Sequence, residues 1–256
     1  MLRKLFSAQV FLVLFLFCQA ANAGDRDTTA QFHHQKILII PYEARMHISD
    51  ADADISEYSE MTPPQVRSVL RIGITEKLNA RLGAGYQTYS LLQDLRPEAR
   101  QELERIYAAI DYSFDTSYAI LHPKPDSSEK GRWNENKARK KELEKRTLSG
   151  DVKFMNAKVL DPHLLSSLNI KYGVDVFVFL TQVEIKTHAK DCMDFQSKMY
   201  ERDIKIHYSV FDKEGNQLFG DVASVRFPSN SNEVGDIMAK NFPALSDKIT
   251  ANIGGK

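Results

Sequence analysis

The chain has 256 residues, and its 34 basic side chains balance 34 acidic ones, so no net field draws it to nucleic acid or to an anionic membrane surface. Its 43% apolar content is that of an ordinary globular protein. Of the two cysteines, Cys18 and Cys192, the first falls in an export signal, so the mature chain holds one thiol and no internal disulfide.

The amino terminus has the three parts of a secretory signal peptide: Arg3 and Lys4, an apolar run over residues 10–17, and small side chains at Ala21 and Ala23. The run breaks at Gln19 and Asn22, short of the roughly 20 apolar residues of a spanning helix. Phe17 stands before Cys18 where lipoprotein processing wants a small residue. Cleavage near Ala23 is therefore expected, giving a soluble, exported (periplasmic) chain with no membrane span. Residues 24–35 are polar and aperiodic and read as a flexible leader. Residues 36–256 read as a single α/β domain.

Residues 36–42 form a compact apolar run closed by Pro41, which fits a strand buried on both faces. Residues 43–60 are acidic and irregular. At Thr62 a helix starts, with Pro63 at its first position and Gln65 placed for a capping box. Val66, Leu70, Ile74, Leu78 and Leu82 then make one stripe before Gly83 and Gly85. Residues 86–92 read as a second strand, which makes a strand, helix, strand crossover with parallel strands. A second helix is expected over 97–111, with Leu103, Ile106, Tyr107 and Ile110 on one face.

From 122 to 150 the composition shifts to a loop with Pro123 and Pro125, then to a charged run over 137–146. This is expected to be a solvated helix or a disordered insertion without core residues. Order returns at Phe154, and Asp161 and Pro162 open a helix with Leu164, Leu165 and Leu168 that stops at Gly173. Residues 174–187 carry the longest strand signal. The first half is apolar on both faces, and the second alternates Val183 and Ile185 against Gln182, Glu184 and Lys186.

The next strand, 200–211, puts Ile204, Ile206, Tyr208 and Val210 inward and Asp203, Lys205, His207 and Ser209 outward. A turn at Asp212 with Gly215 leads to a last strand over 217–227. A closing helix from about Asn230 carries Val234, Ile237, Met238, Leu245 and Ile249, with Pro243 expected to kink or restart it and Asn241 available as a new cap. The fold class is thus α/β: a single mixed sheet, made of the crossover and a three-stranded antiparallel meander, covered by helices.

This order resembles the periplasmic α/β domain of the curli secretion channel subunit, the lipoprotein activators of penicillin-binding proteins, and the amino-terminal domain of the Tol-Pal translocation protein. The residues that carry the resemblance are Ile39, Ile40, Pro41 and Tyr42 at the first strand end, residues 78–82 at the helix end, Gly173 and Asp175 before the middle strand, and the 210–215 hairpin. The chain is also similar to a group of exported bacterial proteins of unassigned activity, with an Ile-Pro-Tyr-Glu segment and a segment like residues 154–158. The resemblance implies a binding or assembly role in the envelope. The missing lipobox, and an insertion that does not alternate as membrane hairpins do, argue against pore formation.

The candidate chemistry is sparse. Asp50, Asp52 and Asp54 alternate like the first calcium ligands of an EF-hand, but Ile55 replaces the required glycine and Met61 the bidentate glutamate. His188, Asp191, Cys192 and Asp194 are the densest group of metal-ligand types, yet no second cysteine or nearby histidine completes a set, and His33 and His34 are distant. Cys192 as a nucleophile needs a base, for which His188 and His207 are available. The basic run near Lys137, beside Trp133, is interleaved with Glu135, Glu142 and Glu144, which favours a solvated surface over polymer binding. Glycine-rich phosphate loops, nucleophile elbows and zinc-protease helices are lacking.

No catalytic, cofactor or metal residue is assigned on this basis. The expected function is non-catalytic binding of a cell-envelope protein, without cofactor or nucleic acid; the alternative is a periplasmic hydrolase or small-ligand protein using residues near Cys192. Val183 and Ile185, continuing an apolar face, further suggest a ribbon over 182–206 that projects past the helices. Either the insertion covers that ribbon or another protein pairs with it by strand addition.

Overall fold

A computed structural model describes residues 35–121, 152–194, 196 and 199–253, together with 140, 141, 143, 144, 146 and 147. The export signal, the leader and most of the charged insertion lie outside the described residues.

Strand β1 (Lys36–Ile40) lies between two parallel neighbours, β3 (Gln87–Ser90) and β6 (Val176–Asp194). A strand in that position must be apolar on both faces. Ile37 and Ile39 enter one core, while Leu38 and Ile40 enter the other. β7 (Met199–Asp212) and β8 (Gln217–Pro228) then add antiparallel to β6, giving the order β3-β1-β6-β7-β8. The expected mixed sheet and its parallel crossover are therefore present.

Two helices cover one face. α2 (Pro63–Leu82) starts with Thr62 N–H donating to Gln65 Oε1 at 2.8 Å, and it buries the stripe Val66, Leu70, Ile74, Leu78 and Leu82. α6 (Val234–Ile253) packs beside it with Ile237, Phe242, Leu245 and Ile249. α6 runs through Pro243 as one helix, contrary to the expected restart. Asn241 is no cap: it is buried, and its Nδ2 donates to Ile237 O at 2.8 Å. The burial of Phe242 and Leu245 on either side of Pro243 holds the helix together where one backbone hydrogen bond is lost.

The opposite face carries α3 (Pro97–Ala108) and α5 (Leu164–Tyr172), with Leu103, Ile106, Leu164, Leu165 and Leu168 buried. Gly173 ends α5 at φ 65°, a conformation that L side chains rarely adopt. Gly215 serves the β7–β8 turn in the same way, at φ 90°.

Several elements differ from the sequence expectation. The stretch read as irregular contains a 3-10 turn (Ala44–Met46), β2 (His47–Ser49) pairing parallel with β6, and α1 (Asp52–Tyr58), which buries Ile55. The second helix stops at Ala108, and Ile110 opens β4 (Ile110–Thr116) instead of closing the helix stripe. β4 pairs antiparallel with β5 (Lys153–Val159) as a separate two-stranded sheet. A short helix α4 (Tyr118–Leu121) follows β4. Residues 140, 141, 143, 144, 146 and 147 of the insertion are helical. Arg146 is no freely solvated charge: its side chain is 14% exposed and Nη2 donates to the buried Asp221 on β8 at 2.6 Å.

β5 crosses close to the sheet at Gly220, where an added Cβ would sit 2.2 Å from the Phe154 ring. Gly220→Ala is expected to destabilise the protein by about 1–3 kcal/mol. Gly85→Ala, where a Cβ meets nothing within 4 Å, is expected to stay within about 0.5 kcal/mol. Urea unfolding of the two variants checks both values.

Candidate functional site

The distal half of the β6–β7 ribbon holds the densest polar chemistry among the described residues, and a bulge decides which residues face where. β6 pairs Leu180 with Tyr208 but Gln182 with His207, so Thr181 is an extra residue. Side-chain parity flips there. Val183 and Ile185 stay with Val176, Val178 and Leu180 in the α2–α6 core, and Gln182 and Glu184 turn to the opposite face. Without the bulge two polar side chains would enter an apolar core.

That opposite face was read as solvent-facing on β7, and this is corrected: Asp203, Lys205, His207 and Ser209 are all buried. β5 lies over part of this face, and the polar side chains satisfy its backbone. Met155 N–H donates to His207 Nδ1 at 2.9 Å, Ala157 N–H donates to Ser209 Oγ at 3.2 Å, and Thr181 Oγ1 donates to Met155 O at 2.5 Å. Ser209 in turn donates to Asn156 Oδ1 at 2.6 Å. With Nδ1 accepting, the neutral His207 ring carries its proton on Nε2, which lies 3.4 Å from Glu184 Oε1. Glu184 also accepts from Gln182 Nε2 at 2.6 Å and Lys186 Nζ at 2.8 Å. The neighbouring His207 imidazole, then Lys186, outweigh burial and hold the Glu184 carboxyl down at about 2. Further along the ribbon, His188 Nε2 lies 3.2 Å from Asp203 Oδ2, with Lys205 Nζ at 3.6 Å from the same atom.

The other face of the ribbon opens a cleft of about 440 Å³ lined by Asp54, Thr187, Met199, Tyr200, Arg202, Ser229 and Asn230. Arg202 follows Ile204 and Ile206 on the core side of β7, and its side chain is only 2% exposed. Nε donates to Thr187 Oγ1 at 3.0 Å, Nη1 to Asn232 Oδ1 at 2.7 Å and Nη2 to Asp54 Oδ2 at 3.1 Å. The guanidinium carbon sits 5.9 Å from the Phe227 ring centroid. Burial lowers its pKa, opposed by the charges of Asp54 and Asp50.

The three aspartates of the calcium-like spacing do not converge. Asp50 accepts from Thr187 N–H, Asp52 pairs with His47 Nε2 at 3.0 Å and Arg67 Nε at 2.7 Å, and Asp54 reaches Arg202. Burial works to raise the Asp52 pKa, but the hydrogen bonds from His47, Arg67 and Ser49 prevail and hold it at about 2. Of the residues proposed around Cys192, His207 lies far along the ribbon opposite Gln182, whereas His188 and Cys192 oppose the adjacent Glu201 and Tyr200 across a register shift, with His188 Nε2 placed 3.2 Å from Asp203 Oδ2. Cys192 and His207 are thus about 20 Å apart along the strands, too far for a thiol and its base. Cys192 is half-buried and unpaired. Among the described residues, no three His, Cys, Asp or Glu side chains gather to hold a metal. Trp133, Lys137, Glu135, Glu142, His33 and His34 lie outside the described residues.

Sequence reasoning missed Arg202 and Glu184 as interacting residues. The signal for Glu184 was present, since apolar parity changes between Leu180 and Val183. Arg202 carried none, because a strand-end arginine normally reads as exposed.

No family model and no curated protein matches the chain. Among solved structures, it is similar to the crystal structure of lipoprotein GNA1162 from Neisseria meningitidis, with TM-score 0.31 and 13% identity over 84% of this chain and 98% of that one. It is also similar to the hypothetical protein CT253 from Chlamydia trachomatis, with TM-score 0.39 and 9% identity over 87% of this chain and 99% of that one. At these scores neither adds a residue role or an activity. Among the described residues, no helix is long and apolar enough to cross a membrane.

A carboxylate held at about 2 in the folded state, against about 4.3 unfolded, stabilises the protein above that unfolded value and ceases to as pH falls toward 2. Glu184→Gln is expected to cost about 1–2 kcal/mol at pH 7. The gap to the parent should narrow as pH falls from about 5 toward 2, which denaturant melts at a series of pH values would show.

Proposed function

We propose that the chain is an exported, non-catalytic binding or assembly module for another cell-envelope component, engaged by strand addition at the outer edge of β6. It is made as a precursor and cleaved near Ala23, and residues 36–256 act as one α/β domain whose insertion spans about 122–150. The resemblance to periplasmic envelope domains supports the compartment.

One observation carries the binding mode: β6 and β7 outrun their neighbours. β2 pairs with β6 only as far as Ser49 opposite Ile185, and Asp50 then caps the Thr187 N–H with its carboxylate at 3.0 Å. β8 ends its pairing at Pro228 opposite Glu201. From His188 to Asp194 β6 is paired with β7 alone among the described strands, and Met193 there is 54% exposed. Such an edge offers unpaired main-chain donors and acceptors to an extended segment. The expected projecting ribbon is shorter than first read, because Ile185, Ile204 and Ile206 are fully buried under the helices. The alternative use of Cys192 in catalysis has no geometric support from His207, and His188 Nε2 is placed against Asp203.

The test places a photoreactive amino acid at Ala189 or Met193 in cells, with the same residue at Gln87 on the β3 edge as control. A discrete envelope adduct from the β6 positions, lost on adding Lys190→Pro and with unfolding unchanged within about 1 kcal/mol, supports the proposal. Equal labelling from Gln87, or adducts unaffected by the proline, would contradict it. Amino-terminal sequencing of the exported chain should begin at Gly24.

A further inference from the structure

The cleft at the base of the ribbon contains a cation that the protein itself compensates weakly. The Arg202 side chain is 2% exposed, yet its one ion pair among the described residues is a single 3.1 Å contact with Asp54, whose own side chain is 60% exposed. A guanidinium carries five donors. Three have acceptors, in Thr187, Asn232 and Asp54, and two have none among the described residues. Thr187, Asn232 and the Phe227 ring fix the plane of the group, so the fork is already oriented before any ligand arrives. The cleft above it holds about 440 Å³ and is lined by the Tyr200 side chain and the polar turn residues Ser229 and Asn230.

We propose that this cleft is a binding site for a carboxylate, which takes Arg202 in a two-pronged pair by displacing Asp54. The geometry favours a carboxylate over a phosphate. Arg202 is the one cation among the described lining residues, and Asp50 lies close enough to act on it as well. A dianion would add more negative charge than one guanidinium beside Asp50 can balance, whereas a planar monoanion adds the least and matches the fork. Asp54 occupies the place of the ligand in the unliganded protein. Its exposure makes the exchange cheap, since a solvated side chain loses little on leaving a long, single contact. The site lies on a face of the ribbon rather than along the outer edge of β6, and it stands whether or not a strand adds at that edge.

The experiment uses the mature exported chain and three probes: acetyl-trialanine with a free carboxyl terminus, the same peptide as its terminal amide, and the amide of a peptide with one internal glutamate. The free-carboxyl peptide, the glutamate peptide or both should shift the amide resonances of Thr187, Tyr200 and Ser229 saturably, distinguishing a chain terminus from an acidic side chain as the source. The uncharged amide should bind at least about ten-fold more weakly.

Asp54→Asn decides the mechanism, because it removes the competing carboxylate at an exposed position. Binding of the carboxylate probe should tighten by about three-fold or more, while Arg202→Gln abolishes it. Should Arg202→Gln fail to fold, the Asp54→Asn result still decides. Equal binding of the uncharged amide, tighter binding of inorganic phosphate than of either carboxylate probe, or an unchanged or weakened affinity in Asp54→Asn would each overturn the site.

Discussion

The rest of the structure depends on β6. It alone pairs with both halves of the sheet, parallel to β1 and β2 on one side and antiparallel to β7 on the other. Both cores are therefore registered on its side chains: Val176, Val178 and Leu180 set the α2–α6 core, and Phe177 and Phe179 set the α3–α5 core. A slip of one residue along β6 would exchange these sets. Within the cores the shift at Thr181 is confined to a bulge, and two further register shifts, between His188 and Cys192 and between Cys192 and Asp194, fall beyond the core residues of the strand.

That bulge explains an unusual economy of polar groups. A strand backbone laid over the face of a sheet, as β5 is, leaves amide and carbonyl groups that no ladder satisfies. His207, Ser209 and Thr181 supply those partners from the sheet. The buried Glu184 and Asp203 carboxylates of the same face are paired, the first with Lys186 and the second with Lys205. Unpaired, each would carry a desolvation penalty of several kcal/mol. A layer of titratable side chains of this kind resembles an active site in composition, and here it works as the joint between two sheets.

The fold was legible in the sequence wherever one periodicity ran uninterrupted. The α2 stripe, the doubly apolar β1, the glycine stops after α5 and between β7 and β8, and the alternation of β7 all read directly. Ile110 failed because it stands four residues after Ile106 and so completes a helical stripe by coincidence, although the following residues alternate as β4. β2 and α1 failed because three and seven residues are too few to display a period. The polar face of β7 read as solvent because its cover, β5, comes from far away in the sequence. Arg202 was invisible for the same reason: Asp54, Thr187 and Asn232 meet it only in three dimensions.

Function in this account rests on a difference along a single strand. Residues 176–179 and 183–185 of β6 have strands on both sides, and residues 188–194 have β7 alone among the described strands. Hydrogen exchange of the free mature chain, followed by mass spectrometry, measures that difference directly. Amides in 188–194 should exchange about a hundred-fold faster than those in 176–179 and 183–185 and slow when the envelope partner is bound. Equal protection of the two segments in the free monomer would contradict the claim that the edge of β6 is open for a partner.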